Sequence, residues 1–264
     1  MKLKKVLSIV LATMTAALVL CLSACDLLGG NNSSSSSQKS DKVIDYKNIT
    51  WSCLGDSITD ESSGDKYPSM LMDAYGYKAM NNYAKSGATI TTLNESNNLQ
   101  QQIEKVDKES DIISVLAGVN DFMFYSAPKG KKGFSDVETF YGAVDTLIKG
   151  LKARCPDAYI FFMTPYKCQW KDGRAYDKEN QEGLILSDYV NVIIDLCKQY
   201  ELDYLNLYVD GGFDFANPYY TADGLHPLGR FYDEFTVPMV AEFIETNYPS
   251  FAKAKMTEKV AVDA

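Results

Sequence analysis

From about residue 48 onward, the sequence alternates short apolar or β-branched runs with longer stretches of helical period. Runs that are apolar at nearly every position are typical of strands buried on both faces of a parallel sheet. They occur at residues 49–55 (ITWSCLG), 79–84 (AMNNYA, the weakest), 112–118 (IISVLAG), 158–164 (AYIFFMT) and 203–208 (DYLNLY). Because no internal repeat and no second composition block interrupts them, we predict one α/β domain built on five strands.

The stretches between these runs have the pattern of amphipathic helices. In residues 135–138 (SDVE) a serine precedes a glutamate by three positions, which predicts a capped helix that starts at Ser135. The apolar face of this helix consists of Phe140, Val144, Leu147, Ile148 and Leu151. A second helix is predicted from about Leu184 to Tyr200, and a third follows Pro227. Strands that alternate with helices form βαβ units, so the predicted architecture is a three-layer α/β sandwich.

The first residues of the chain have the composition of a secretory signal. Lysines at positions 2, 4 and 5 precede a charge-free run from Val6 to Ala24. The run ends in LSAC (residues 22–25), which resembles the lipobox of bacterial lipoproteins. That resemblance implies cleavage after residue 24 and attachment of a lipid to Cys25. An uncleaved transmembrane anchor is the alternative, because the apolar run is nearly long enough to span a bilayer.

The following stretch is rich in Ser, Asn and Gly and has no apolar period after Leu28. A flexible coil of about 17 residues reaches roughly 20–25 Å on average, which is enough to hold a domain just off a membrane. We therefore expect a signal peptide (1–24), a lipid-anchored flexible linker (25–44), the folded α/β domain (45–252) and a C-terminal tail (253–264). The expected location is the outer face of a bacterial cell membrane.

The charge balance argues against two classes of partner. Removal of residues 1–24 takes away three of 26 basic residues and no acid, which leaves 23 basic against 35 acidic residues, a net charge of −12. Proteins that bind nucleic acid present clustered positive charge, so nucleic acid is not an expected partner. An acidic surface also opposes adhesion to anionic lipid, so the membrane link is expected through the lipid on Cys25 alone. The sequence leaves the oligomeric state open.

Four cysteines fall within the expected domain: Cys53, Cys155, Cys168 and Cys197. An exported protein can pair them as disulfides. Their spacing matches no zinc-binding pattern, and a domain of this size does not need covalent links to be stable. The sequence therefore leaves both disulfides and free buried thiols open.

Polar or glycine-bearing turns directly follow three of the predicted strands. In open α/β sheets, ligands bind beyond the carboxyl ends of the strands. GDSIT (residues 55–59) places the Ser57 hydroxyl on such a turn. In SGAT (86–89), Gly87 lets the backbone approach a ligand, and in GVND (118–121) the Asn120 amide can donate a hydrogen bond. Taken singly, each motif also fits an ordinary turn or helix cap.

The only histidine of the chain, His226, lies in DGLHP (residues 223–227), three positions after Asp223. In a turn, this spacing can bring the carboxylate to Nδ1 of the imidazole and leave Nε2 free to take a proton from a serine. A serine is a weak nucleophile that needs such a base. A surface histidine beside a helix start is the alternative. A single histidine makes a histidine-based metal site implausible, and we expect neither metal nor cofactor.

The four motifs together resemble, in content and order, the sequence blocks of the SGNH hydrolases, also called the GDSL esterase/lipase family. The resemblance extends from about residue 48 to 247 and implies a flavodoxin-like parallel five-stranded sheet flanked by helices. It implies Ser57 as the nucleophile, His226 as the base and Asp223 as the partner that orients the base. It further implies that the amides of Ser57 and Gly87 and the side chain of Asn120 form the oxyanion hole.

Two segments between the motifs are long for plain connections, and long loops often form lids or binding walls. They are residues 122–134 and 165–183. We expect Phe122, Tyr125, Tyr166 and Trp170 to contact substrate, with packing onto the core as an equal alternative. Aromatic walls suit sugar rings or an acyl chain, and no long apolar flap indicates a triglyceride lipase.

The expected function is therefore a serine esterase that hydrolyses short, acetyl-type O-acyl esters on a carbohydrate or small glycoside. Two other functions fit the same residues. One is a cell-surface O-acyltransferase on this scaffold, and the other is a lipid-anchored glycan-binding protein without catalysis.

Overall fold

The computed structural model describes residues 44–262. Its five strands are Thr50–Gly55 (β1), Ala79–Asn82 (β2), Ile112–Leu116 (β3), Tyr159–Met163 (β4) and Asp203–Leu205 (β5). They pair in parallel in the order β2-β1-β3-β4-β5. Each strand lies inside one of the apolar runs found in the sequence, so the prediction of a five-stranded parallel sheet is confirmed.

The central strand β3 shows why these runs are apolar at nearly every position. All five of its residues are buried. Ile113 and Val115 belong to the core on one face of the sheet, whereas Ile112 and Leu116 belong to the core on the other face. Because successive side chains of a strand point to opposite faces, a strand covered on both sides needs apolar residues at both odd and even positions.

Helices cover both faces of the sheet. They are Tyr67–Tyr75 (α1), Gln100–Ile103 (α2), Val119–Met123 (α3), Phe140–Arg154 (α4), Leu186–Gln199 (α5), Leu207–Asp210 (α6), Gly229–Phe231 (α7) and Val237–Val262 (α8). One turn of π-helix, Tyr232–Thr236, joins α7 to α8. Helices α4 and α5 pack on one face, and α1 and α8 pack on the other. The predicted three-layer α/β sandwich is confirmed.

Helix α4 starts five residues later than the sequence predicts, and Ser135 does not cap it. Its first two amides, those of Phe140 and Tyr141, donate to the carbonyls of Pro128 and Lys129 at 2.8 and 3.0 Å. The N-terminal amides of a helix have no partner inside the helix, so an acceptor from another segment can fix where the helix begins. The spacing of serine and glutamate does not report such a tertiary contact.

The predicted signal peptide (1–24), the lipid attachment at Cys25 and the linker as far as residue 43 lie outside the described residues. At the other end, α8 continues through Val262 and so includes residues that the sequence assigned to a tail. Between residues 44 and 262, no helix combines the length and apolar composition needed to cross a bilayer.

The four cysteines of the domain are buried free thiols: Cys53, Cys155, Cys168 and Cys197. Burial raises the pKa of Cys168 and of Cys197 to about 12, so these thiols stay protonated at neutral pH. Within the described residues, no group of three or more His, Cys, Asp or Glu side chains is arranged to hold a metal ion.

The strand order creates a crevice at the carboxyl end of β1. The chain passes from β1 to β2 on one side and then returns to β3 on the other side of β1. At such a reversal the loops on either side of the strand diverge, and the space between them is where ligands bind in open α/β sheets. The turns after β1, β2 and β3 therefore form the walls of one crevice.

Candidate active site

Ser57 lies in a tight turn directly after β1. The amides of Thr59 and Asp60 close this turn by donating to the Asp56 carbonyl at 3.1 and 2.9 Å. Ser57 is half-buried, and its Oγ lies 2.8 Å from Nε2 of His226. The end of β1 thus presents the serine hydroxyl to an imidazole that is 169 residues away in the sequence.

His226 and Asp223 meet as the motif DGLHP predicts. Nδ1 of His226 lies 2.7 Å from Oδ2 of Asp223. The amides of Leu225 and His226 donate to the other carboxylate oxygen, Oδ1, at 2.9 and 2.8 Å. Because an ionised carboxylate can only accept, Nδ1 carries the proton and Nε2 is left to accept from Ser57.

Asp223 is the ionised member of this group. Burial acts to raise the pKa of its carboxyl, but the amide and imidazole of His226 and the amide of Leu225 outweigh burial, so the pKa lies below its ordinary value. A carboxylate that remains ionised at neutral pH stabilises the imidazolium that forms when His226 takes a proton.

The loop that carries Asp223 and His226 is held by the segment after β4. The amide of Gln169 donates to the Gly224 carbonyl at 3.0 Å. Trp170 packs edge-on against the imidazole of His226, with ring centres 5.8 Å apart. Trp170 therefore supports the histidine and does not line the pocket, whereas the sequence suggested a contact with substrate.

Three N–H groups of the site have no acceptor in the described part of the chain. They are the amides of Ser57 and Gly87 and one N–H of the Asn120 side chain. The other N–H of Asn120 donates to the Ala88 carbonyl at 2.9 Å, which fixes the orientation of the amide. Gly87 has a φ of +78°, a left-handed conformation that favours glycine. These donors can stabilise an oxyanion that forms beside Ser57.

Two asparagines that the sequence analysis did not single out hold the loop after β2. The side-chain amide of Asn94 donates to the Gly87 carbonyl at 3.1 Å, and that of Asn97 donates to the Ser86 carbonyl at 2.8 Å. The sequence feature that could have pointed to these two asparagines is the asparagine-rich stretch NESNN (residues 94–98). They orient the backbone on which the Gly87 amide depends.

A pocket of about 950 Å³ opens over Ser57 and His226. The loops after β1 and β2 contribute polar residues to its wall: Ser63, Lys66, Ser86, Asn94, Ser96 and Asn97. The end of α3 contributes two aromatic rings, Phe124 and Tyr125. The pocket thus combines hydrogen-bonding groups with an apolar wall.

Of the four aromatic residues expected to contact substrate, only Tyr125 lines the pocket. It is 38% exposed, as is its neighbour Phe124 at 39%. Phe122 and Tyr166 are each 2% exposed and belong to the cores on opposite faces of the sheet. Phe122 lies in α3 and points into the helical layer, whereas the residues after the end of α3 reach solvent. Phe122 and Tyr166 therefore pack onto the core, the alternative that the sequence left open.

Two buried carboxyls adjoin the site. Asp121 accepts from the amides of Ile90 and Thr91, each at 2.8 Å, and so ties the loop after β2 to α3. Asp56 accepts from the Ile58 amide through Oδ1, while its Oδ2 has no hydrogen-bond partner among the described residues. Burial raises the pKa of Asp56 to about 7 and that of Asp121 to about 6. The pKa values of these two carboxyls are therefore shifted in the opposite direction to that of Asp223.

The model of the GDSL-like lipase/acylhydrolase family matches residues 53–233, a span that contains the serine, histidine and aspartate of the site. The chain belongs to this family. It is a carboxylic ester hydrolase of the GDSL type, as the order of the four motifs predicts. No match is found among curated proteins.

Solved structures share the fold of this GDSL-like hydrolase. A protein from Lactobacillus plantarum aligns at 27% identity with a TM-score of 0.68, over 78% of this chain and 99% of its own. An acetyl xylan esterase aligns at 18% identity and a TM-score of 0.54, over 74% and 100%. A phospholipase A1 from Streptomyces albidoflavus aligns at 16% identity and a TM-score of 0.50, over 74% and 99%. At these identities the last two show the fold alone.

We expect Gly224→Ala to lower esterase kcat/KM by about 100-fold, because a displacement of about 1 Å at a catalytic group has an effect of this size. Gly224 has a φ of +79°, and an added Cβ would lie 2.1 Å from the Gln169 carbonyl oxygen, so the loop of His226 must shift. Gly212→Ala is the matched control, since its φ is +63° but its Cβ would meet nothing closer than 3.9 Å. Equal kcat/KM for the two variants on p-nitrophenyl acetate would contradict the expectation.

We expect Asp56→Asn to gain stability relative to the wild type as the pH rises. The pKa of Asp56 is raised in the fold to about 7, so the neutral acid stabilises the fold at low pH. That stability is lost as the pH rises from about 4 through 7, at up to about 1.4 kcal/mol per pH unit. Guanidinium unfolding between pH 5 and 8 measures the difference.

Asp60→Asn is the control for this pH dependence. Burial acts to raise the pKa of Asp60, but hydrogen bonds from Ser86 and Ser62 lower it overall. The stability that the ionised Asp60 contributes is lost only below about pH 4, so between pH 5 and 8 its replacement should differ from the wild type by a constant amount, without the pH trend of Asp56→Asn. A constant offset between Asp56→Asn and the wild type at every pH would show that Asp56 is not held with a raised pKa.

Proposed function

We propose that this hydrolase is a serine esterase that cleaves short, acetyl-type O-acyl esters of carbohydrates or small glycosides. One observation carries the proposal. It is the hydrogen-bonded chain from Asp223 through His226 to Ser57, which ends in a pocket with three N–H donors free for a ligand. This is the arrangement that acyl transfer through a covalent serine intermediate requires.

In the first half of the reaction, Nε2 of His226 takes the proton of the Ser57 hydroxyl as Oγ bonds to the ester carbonyl carbon. The carbonyl oxygen becomes an oxyanion that accepts from the amides of Ser57 and Gly87 and from Asn120. Loss of one such donor typically costs about 3–4 kcal/mol of transition-state stabilisation. The imidazolium then gives its proton to the leaving alkoxide, and the alcohol departs from an acyl-Ser57.

In the second half, a water molecule takes the place of the alcohol. His226 accepts a proton from this water while the water oxygen bonds to the acyl carbon. The same three donors hold the oxyanion again. The imidazolium returns the proton to Ser57 Oγ as the acyl bond breaks, which releases the carboxylic acid and restores the enzyme. Asp223 remains a carboxylate throughout and stabilises each imidazolium.

The pocket wall supports a carbohydrate as the alcohol part. Its serine and asparagine side chains can pair with sugar hydroxyls, and the rings of Phe124 and Tyr125 offer apolar faces for a sugar ring. A long acyl chain would leave these polar groups without partners, which is unfavourable for binding. Among proteins with this fold, the acetyl xylan esterase is named for a short ester on a glycan, and the phospholipase A1 for a lipid. The serine and asparagine side chains of the pocket favour the first type.

Replacement of the serine or the histidine tests the mechanism. We expect Ser57→Ala and His226→Ala each to lower kcat/KM on p-nitrophenyl acetate by at least about 1000-fold. The reason is that the serine nucleophile and the histidine base act together, so that loss of either one removes the effect of both. A fluorophosphonate should modify the wild type at Ser57 and leave Ser57→Ala unmodified, as read by mass spectrometry.

The control for this experiment is Ser250→Ala, which removes an exposed serine of α8. It should keep both turnover and labelling. If the wild type were neither labelled nor active on any ester from acetate to octanoate, a binding protein without catalysis would replace the esterase proposal. If activity rose toward octanoate, the mechanism would stand but the short-acyl preference would not.

We further propose that the enzyme is exported and attached by a lipid on Cys25 to the outer face of a bacterial cell membrane. The motif LSAC after a charge-free run supports this location. In a bacterial host fed with labelled palmitate, Cys25→Ala should lose the label, while Cys21→Ala, which changes a residue of the signal itself, should keep it. A labelled Cys25→Ala protein would contradict lipidation at this residue.

A further inference from the structure

Lys66 is a buried cation in the wall of the active-site pocket. It lies just before α1, and the residue is 9% exposed. Among the lining residues that the structure describes, it is the only lysine or arginine, and no aspartate or glutamate lines the pocket. This is unexpected in a chain with a net charge of −9. The described lining of the pocket therefore has one cationic side chain and no carboxylate, although the protein as a whole is acidic.

Three carboxylates interact electrostatically with the Lys66 ammonium: Asp60, Glu61 and Asp223. Each of them is hydrogen-bonded to another group. Asp60 accepts from serine amides and hydroxyls, Glu61 accepts from an amide of α1, and Asp223 is paired with His226. Within residues 44–262, no carboxylate forms an ion pair with Lys66. Its ammonium is thus left with hydrogen-bonding capacity that a ligand can use.

Burial disfavours the charged form of the Lys66 side chain. Removal from water lowers the pKa of Lys66, an effect that the nearby carboxylates oppose only in part. The Tyr232 ring lies 5.7 Å from Nζ and offers a weak cation–π contact. A buried charge is normally retained together with a partner. An anionic group on a bound ligand would give Lys66 such a partner.

We propose that the natural substrate is an O-acyl ester whose alcohol part carries a carboxylate or phosphate group, and that Lys66 binds this group. The inference rests on the esterase function proposed above. The alcohol part is assigned because an acetyl-type acyl group is too small to carry an anionic group, whereas the alcohol part extends into the pocket whose wall includes Lys66. The carbonyl oxygen is directed instead toward Gly87 and Asn120. Acylated uronic acids and acylated sugar phosphates have the required chemistry.

The test measures kcat/KM for acetate release from three mono-acetylated methyl glycosides: the neutral glucoside, the glucuronoside and the glucoside 6-phosphate. We expect the wild type to prefer at least one anionic substrate over the neutral one by about 10- to 100-fold, the usual effect of a hydrogen bond to a charged group. In Lys66→Met this ratio should fall to within about threefold of one, whereas Lys66→Arg should keep most of it. The preferred anion identifies the group.

Lys108→Met is the matched control, because it removes the same charge from an exposed residue just before β3, at the opposite end of the sheet. It should keep the wild-type ratio. A wild type without preference for either anion, or an unchanged ratio in Lys66→Met, overturns the role of Lys66. Circular dichroism checks the folding of the variants, and Lys66→Gln replaces Lys66→Met if the latter does not fold.

The p-nitrophenyl acetate assay separates the two proposals. Turnover of this neutral ester by the wild type, without preference for either anionic glycoside, overturns the role of Lys66 and leaves the esterase function in place. Absence of turnover on every ester overturns the esterase function itself.

Discussion

The pairing of β1 with a parallel strand on each side is the constraint on which the active site depends. Residues 50–53 of β1 pair with β2, and residues 51–55 pair with β3. Parallel strands end at the same edge of a sheet, so the turns that follow these three strands must meet. Ser57, Gly87 and Asn120 are brought together in this way although each lies in a different part of the sequence. The hydrogen-bonded register of these pairs fixes how far each strand extends toward this edge.

The histidine and its partner acid reach the site by a different route. Asp223 and His226 lie in a loop before α7, and no strand of the sheet ends next to them. Their position depends on contacts with the segment after β4, through the Gln169 amide and the Trp170 ring. The surroundings then shift the pKa values of two acids of the site in opposite directions. Amides and the imidazole lower the pKa of Asp223, whereas burial raises that of Asp56. Negative charge is thereby stabilised on the carboxylate that contacts the imidazole.

Local patterns in the sequence were sufficient for the strands and for the residues at their ends, because both depend on short segments. The run IISVLAG identifies β3 by its own composition, and the spacing of Asp223 and His226 in one turn brings them together. Contacts between distant segments left no such pattern. The start of α4 depends on carbonyls of the preceding loop, and the burial of Phe122 and Tyr166 depends on which way α3 and the segment after β4 face. Lys66 carries no motif, and only the folded pocket shows that it lacks a counter-ion.

An acidic protein that binds an anionic substrate has to reconcile long-range repulsion with short-range attraction. Exposed charges are largely screened beyond about 8–10 Å at physiological ionic strength, so the negative surface affects mainly the rate of encounter. A buried pair is screened far less, and the attraction between Lys66 and an anion takes effect only once the ester is inside the pocket. Selectivity for an anionic substrate then resides in contacts made beside Ser57 and His226. Such contacts can strengthen as the acyl group transfers, which makes them useful for catalysis as well as for binding.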